Sequence, residues 1–186
     1  MFPIDFFWRA AQRWPDRIAI DAPEGAIRYD ALAARVAALA AGFTAIDPTP
    51  QSRVGICAGN SADHIAALLA VLACGKVWVP LNPKSTRPEI RRIIDATEPT
   101  LLVLDAACAD LLEGAPGARV LTGAPATEDA TTLASLAACR TVGPDYALPE
   151  GSAFKRPQAN AAFIDTQNPQ VAANQALPDR WWSLYN

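Results

Sequence analysis

Residues Leu72 to Pro83 read LACGKVWVPLNP: the end of an apolar helix, a glycine stop, one short strand and a proline-closed turn. Upstream of it Ile65, Leu68, Leu69 and Leu72 recur at three- and four-residue steps with Ala66, Ala67, Ala70 and Ala73 between them. That period predicts a helix over Ser61 to Cys74, buried on one broad face. Ser61 suits the N-cap and Asp63 the first turn, where a carboxylate meets the positive end of the helix dipole. Gly75 fits the left-handed residue that closes such a helix. Val77, Trp78 and Val79 favour strand; Pro80 and Pro83 then forbid helix, and Asn82 suits a turn. A buried strand that delivers a loop is therefore expected here.

Working outward, the first 125 residues alternate in the same way. Strands are expected at Ile18 to Asp21, Arg53 to Cys57, Val77 to Val79, Leu101 to Leu104 and Arg119 to Leu121, and helices at 29–45, 61–74, 86–97 and 106–113. Near-continuous apolar strands separated by helices imply an α/β fold, a partial parallel sheet with flanking helices joined by right-handed crossovers. Met1 to Asp16 reads as a short helix ended by Pro15, and its Asp5, Arg9 and Arg13 exclude a secretory signal. Trp8, Trp14, Trp78 and Phe43 are assigned to packing.

Charge and composition exclude several classes of function. A net charge of -3 and a pI near 5.1 give no basic footprint for nucleic acid. No apolar run is expected to reach the roughly 18 residues of a membrane span. Cys57, Cys74 and Cys108 sit in apolar contexts without C-x-x-C spacing, and with a single histidine in the chain they read as small buried hydrophobes rather than zinc ligands. His64 falls on the first turn of its helix with no nucleophile beside it, so a solvated or capped ring is expected. Lys76 within the opening stretch and Lys84 just after it read as surface charges with an anion as the other use. Arg87, Arg91 and Arg92 read as a solvated helix face.

Leu72 to Pro83 resembles the "LKAGAAYVPLNP" signature of the AMP-forming adenylating enzymes, the superfamily of acyl-CoA synthetases, nonribosomal-peptide adenylation domains and luciferases. Ile27 to Leu32 resembles that family's "LTYAEL" element, Arg53 to Cys57 with Asn60 and Ser61 its "DRVAILLPNS" element, and Pro88 to Leu104 its "PEELRYILEDSEPKVLV" element. Order and spacing agree across roughly residues 5 to 105. The resemblance implies the N-terminal subdomain of a ligase that uses ATP and Mg to turn a carboxylic acid into an acyl adenylate and passes it to a thiol acceptor. It also implies a later Ser/Thr/Gly-rich phosphate loop ending in Pro-Lys, and a C-terminal catalytic lysine. Neither is recognisable in this sequence. The threonine-rich Ala126 to Thr132 has no glycine or lysine and carries two carboxylates, which would repel a triphosphate. No catalytic, cofactor-binding or metal-binding residue is therefore assigned, no cofactor is expected for this chain, and a part without activity of its own is expected.

Beyond residue 125 the composition changes. Residues 134–186 hold eight Asn or Gln against four in residues 1–133, and proline recurs at 144, 149, 157, 169 and 178, which predicts an extended tail over 126–186. Leu136 to Cys139 fits a lipobox, Val142 to Pro149 resembles the "VGPDYxxP" start of outer-membrane efflux channel lipoproteins, and Leu177 to Asn186 resembles their "WWxLFxDP" element. This resemblance implies lipidation at Cys139 as an alternative. That step needs export, and the acidic Thr127 to Ser135 makes a poor signal. The expectation is thus a joined chain, the front of an adenylating enzyme followed by the front of an efflux lipoprotein, located in the cytoplasm, with an outer-membrane lipoprotein as the alternative location. A non-catalytic α/β interaction module is the third reading. An exposed apolar face that favours self-association and marginal stability is expected in every case.

Overall fold

The sheet is organised by strand β3 (Arg53–Cys57), whose residues alternate between two apolar layers. A computed structural model describes residues 3–123 and 130–138 of the chain. β3 pairs in parallel with β4 (Val77–Pro80) on one side and β5 (Leu101–Leu104) on the other, and β5 pairs with β6 (Ala118–Leu121), giving the order β4-β3-β5-β6. Val54, Ile56, Leu101, Val103 and Val120 face one buried cluster; Cys57, Leu102 and Leu104 face a second. With both faces buried, β5 is apolar throughout and β3 is apolar from Val54 onward, whereas β4 and β6 at the edges keep exposed positions.

The first layer is covered by α2 (Tyr29–Ile46), α3 (Ala62–Ala73) and α1 (Pro3–Arg13). Phe43, Leu39, Val36 and Leu32 of α2 lie fully inside, packed with the alanines of α3. The second layer is covered by α4 (Arg87–Thr97) through Ile90 and Ile94, together with Cys108 and Leu112. α4 starts in a capping box: the Glu89 carboxylate accepts from the Thr86 N–H at 2.8 Å. α3 ends as its sequence predicts. Gly75 has φ of 68°, its N–H donates to Leu72 O and the Lys76 N–H to Val71 O, the two bonds of a Schellman motif. Ser61 caps the other end by accepting from the His64 N–H at 3.1 Å.

Several expectations are corrected. The strand at Ile18 does not join the parallel sheet. It is β1 (Ile18–Ala22), and it pairs antiparallel with β2 (Gly25–Arg28), a strand missed in the sequence. The turn at Pro23 and Glu24 leads into Gly25, whose φ of 131° is costly for other residues, and folds the chain straight back. The helix expected at 106–113 is two 3-10 turns, Ala106–Cys108 and Asp110–Leu112. Gly114 cuts the stretch short, too short to offset the cost of α-helix nucleation. α2 does pass the length and composition test for a membrane span that no segment was expected to meet, with 18 residues of mean hydropathy 1.3. Its two charges, Asp30 and Arg35, leave it apolar because it is a core helix of the sheet layer.

The segment read as the start of the tail carries α5 (Leu133–Ala138). Leu133 is fully buried in the first layer, Leu136 rests against Gly42 of α2, and Thr132 bridges to Leu121 beside β6. A 42 side chain would place its Cβ 3.2 Å from that of Leu136, so the glycine permits the close approach of α5. Trp78, assigned to packing, is 38% exposed, because β4 is the outer strand and nothing among the described residues covers it. Phe6 at 64%, Ile18 at 58% and Ile65 at 42% are exposed as well, each on a different element.

Candidate ligand-binding site at the carboxyl ends of the strands

The connections diverge at β3: the chain leaves it for β4 on one side, then crosses to β5 on the other. In doubly wound sheets such a divergence leaves a crevice at the carboxyl ends of the strands, where ligands bind. Here the crevice between β3 and β5 is occupied by Asp105. Its carboxylate accepts from the Gly59 N–H at 2.8 Å and from the Cys108 N–H at 3.0 Å. Burial works against ionisation of this carboxyl, but the bonds from Gly59 and Cys108 outweigh it and hold its pKa below the ordinary carboxylate value. The loop after β3 is pinned by a residue that lies 46 positions away.

The open space is displaced to the β3–β4 side, as a cavity of about 510 Å³. Gly59, Asn60 and His64 line it from one side, and Trp78, Asn82 and Lys84 from the other. The His64 Nδ1 lies 3.1 Å from Ala58 O and 3.2 Å from Gly59 O, two acceptors, so Nδ1 donates to the loop after β3. The Leu81 N–H continues the β3 ladder to Ile56 O at 3.0 Å, and Asn82 then turns the chain by accepting from the Lys84 N–H at 2.9 Å. The resulting lining carries no carboxylate, with Trp78 on one wall and Lys84 at the turn. Such a surface can seat the polar end of an organic anion. It holds no nucleophile paired with a base, and among the described residues there is no cluster of three or more metal-ligating side chains.

A second concavity of about 460 Å³ surrounds the start of α3. Arg35 of α2 pairs there with Asp63 at 2.6 Å, and the other Asp63 oxygen accepts from the Gly123 N–H at 3.2 Å. These bonds tie α2, α3 and the end of β6 together, 60 positions apart in the case of Asp63 and Gly123.

The residues singled out in the sequence divide clearly. His64 and Lys84 come together at the cavity. Lys76 does not, and the surface assignment is overturned: it is 2% exposed. Its ammonium donates to Asp47 O at 2.7 Å, Thr49 O at 3.2 Å and Ser52 Oγ at 2.6 Å, with the Asp47 carboxylate at 3.7 Å. It is a clip between the α2–β3 loop and the start of β4. Arg87 pairs with Glu113 and Arg91 with Asp95, both on the exposed face of α4, where Arg92 is exposed too. Cys57, Cys74 and Cys108 are buried free thiols, as expected. Cys139, residues 126–129 of the threonine-rich stretch and the efflux-like motifs lie outside the described residues. Asp105 was missed because no local pattern marks it; only the fold brings it to Gly59.

Comparison with known proteins bears on this arrangement. The chain is 36% identical over 111 residues to a hybrid PKS-NRPS synthetase of Aspergillus flavus, a match covering 59% of this chain and 3% of that protein. It is 31% identical over 128 residues to the phosphinothricin tripeptide synthetase PhsC of Streptomyces viridochromogenes, covering 69% and 11%. Among solved structures it is similar in fold to the anthranilate CoA ligase AuaEII in complex with anthranoyl-AMP, with a TM-score of 0.73 at 14% identity, over 79% of this chain and 30% of that one. The chain thus spans a small part of each of these relatives. The family model described as AMP-binding enzyme matches residues 7–174, continuing across the stretch at 142–149 that resembles an efflux lipoprotein. With that match over most of its length and the parallel sheet of the adenylating enzymes beneath it, the chain belongs to the AMP-binding enzyme family.

Proposed function

We propose that this chain forms the amino-terminal scaffold of an enzyme that condenses a carboxylic acid with ATP to an acyl adenylate, releases pyrophosphate and hands the acyl group to a thiol. The observation that carries this reading is the family match over residues 7–174 on a sheet whose cavity opens at the carboxyl ends of β3 and β4. The tripeptide synthetase among the relatives favours an amino acid as the carboxylic acid.

The residues around the cavity do not fit magnesium or a triphosphate. Asn60, His64, Asn82 and Lys84 offer no carboxylate to a hard cation, and the loop after β3 carries one glycine where a phosphate nest uses several N–H groups in succession. No step of the reaction is therefore assigned to ATP or magnesium on these side chains, and the scaffold alone is inactive in this proposal. ATP–pyrophosphate exchange with a pool of amino, aryl and fatty acids tests it. Exchange at the level of the enzyme-free blank is expected. Acid-dependent exchange above the blank would show a complete site in this chain and overturn the scaffold assignment.

A cytoplasmic location is part of the same proposal. The acidic stretch Thr127 to Ser135 before Cys139, a poor export signal, supports it. Palmitate incorporation at Cys139 in cells would overturn it.

A further inference from the structure

Beneath the crevice closed by Asp105 lie two thiols that the proposed function does not use. Cys57 is the last residue of β3, and Cys108 ends the first 3-10 turn after β5. Both are buried in the same apolar cluster, where the two thiols are neighbours. The backbone holds them in place from both sides: the Asp105 N–H donates to Cys57 O at 3.3 Å, and the Cys108 N–H donates to Asp105 O at 3.0 Å. By contrast Cys74 packs in the other layer, its thiol donating to Val71 O at 3.4 Å.

We propose that Cys57 and Cys108 are a latent disulfide site, closed by exchange with a small organic disulfide when the turn after β5 opens. Burial pushes both thiols above their ordinary pKa, so neither is a nucleophile in the closed fold. The two differ in how far they lie from solvent. Cys108 is flanked by exposed Ala106 and Ala107 on a turn of three residues, whereas Cys57 sits in β3 between two partner strands. Local opening of a short surface turn costs less than opening a central strand. Cys108 therefore reacts first. Its thiol loses a proton to solvent and the thiolate attacks one sulfur of the small disulfide; the departing thiolate takes up a proton. Cys57 then gives up its proton, attacks the Cys108 sulfur and expels the second small thiol. One small disulfide is reduced to two thiols and one protein dithiol becomes a disulfide. The product staples the end of β3 to the segment after β5, across the crevice at the carboxyl ends of the sheet.

The test is incubation of the full chain with oxidised glutathione under native conditions, acid quench, alkylation in denaturant and mapping of linkages by peptide mass spectrometry. A Cys57–Cys108 peptide is expected as the main product, with Cys74 recovered alkylated, at a rate at least about tenfold slower than in urea. In Cys57→Ser a glutathione adduct should accumulate on Cys108, about tenfold more than on Cys57 in Cys108→Ser. Recovery of both cysteines as alkylated thiols from the native chain, or linkage of either one elsewhere, overturns the site. A greater adduct on Cys57 than on Cys108 overturns the order of attack. The wild-type linkage map decides the site whether or not the serine variants fold.

Discussion

Replacing Lys76 with methionine removes an ammonium from a place where it is 2% exposed, while keeping most of the apolar stem. An ammonium has three N–H donors, and here each has an acceptor: Asp47 O at 2.7 Å, Ser52 Oγ at 2.6 Å and Thr49 O at 3.2 Å. After Lys76→Met the Ser52 hydroxyl is left in a buried place and the Asp47 carboxylate loses the cation at 3.7 Å. Removing one partner of a buried charged pair costs about 3–5 kcal/mol. Thr49 is exposed and its carbonyl can turn to water, so the lower end, about 3 kcal/mol, is expected. Against a typical domain stability of about 5–15 kcal/mol this is a large fraction. Urea unfolding, followed by tryptophan fluorescence and far-UV circular dichroism, should show the midpoint falling by about 2 M at an m-value of about 1.5 kcal/mol/M. Lys84→Met, on the exposed turn eight residues on, should stay within about 0.5 kcal/mol. A loss below about 1 kcal/mol for Lys76→Met would place its ammonium among ordinary surface charges and refute the clip.

Two further perturbations probe the crevice. Gly55→Ala puts a Cβ 2.8 Å from Leu102 Cδ2 and 3.1 Å from Leu81 Cδ1 in the middle of β3. Overpacking of about 1–3 kcal/mol is expected, partly relieved in the double variant with Leu102→Val, and a thermal midpoint at or above wild type would contradict the geometry. Asp105→Asn tests the loop anchor through pH. A carboxylate whose folded pKa is depressed stabilises the fold above its unfolded value of 3.8 and loses that contribution as pH falls through the folded value. The wild type should therefore lose stability relative to Asp105→Asn as pH drops below about 4, and parallel acid-unfolding curves for the two proteins would exclude the role.

Where side-chain period, caps and breakers act over a few residues, the sequence was sufficient. The Ile65–Leu72 period, Ser61 and Gly75 specified α3 and its Schellman end, and the strands at Val54 and Leu101 were recognisable by their apolar runs. The same local logic failed at Gly25–Arg28, whose strand exists only because Ile18–Ala22 is folded back beside it, and at 106–113, where the place of Gly114 counted for more than helix propensity. It failed again at Leu133–Ala138, a stretch too short to be a helix on its own merits, which is held by Gly42 and the sheet layer. In the candidate site Lys84 reads from the sequence as a surface charge with an anion as its other use, and His64 as a solvated or capped ring; their meeting at one cavity is not legible there.

By itself the sequence determined the family and the run of elements from α2 to β5, since both are written in residues adjacent along the chain. Only the tertiary structure decided that Lys76 is a buried clip, that Asp105 fills the crevice at Gly59, that Asp63 bridges Arg35 and Gly123, and that Cys57 meets Cys108. These partners lie from 28 to 60 positions apart. Their meeting is set by the crossovers of the sheet and by the need to pair each buried polar group, and a local pattern encodes neither.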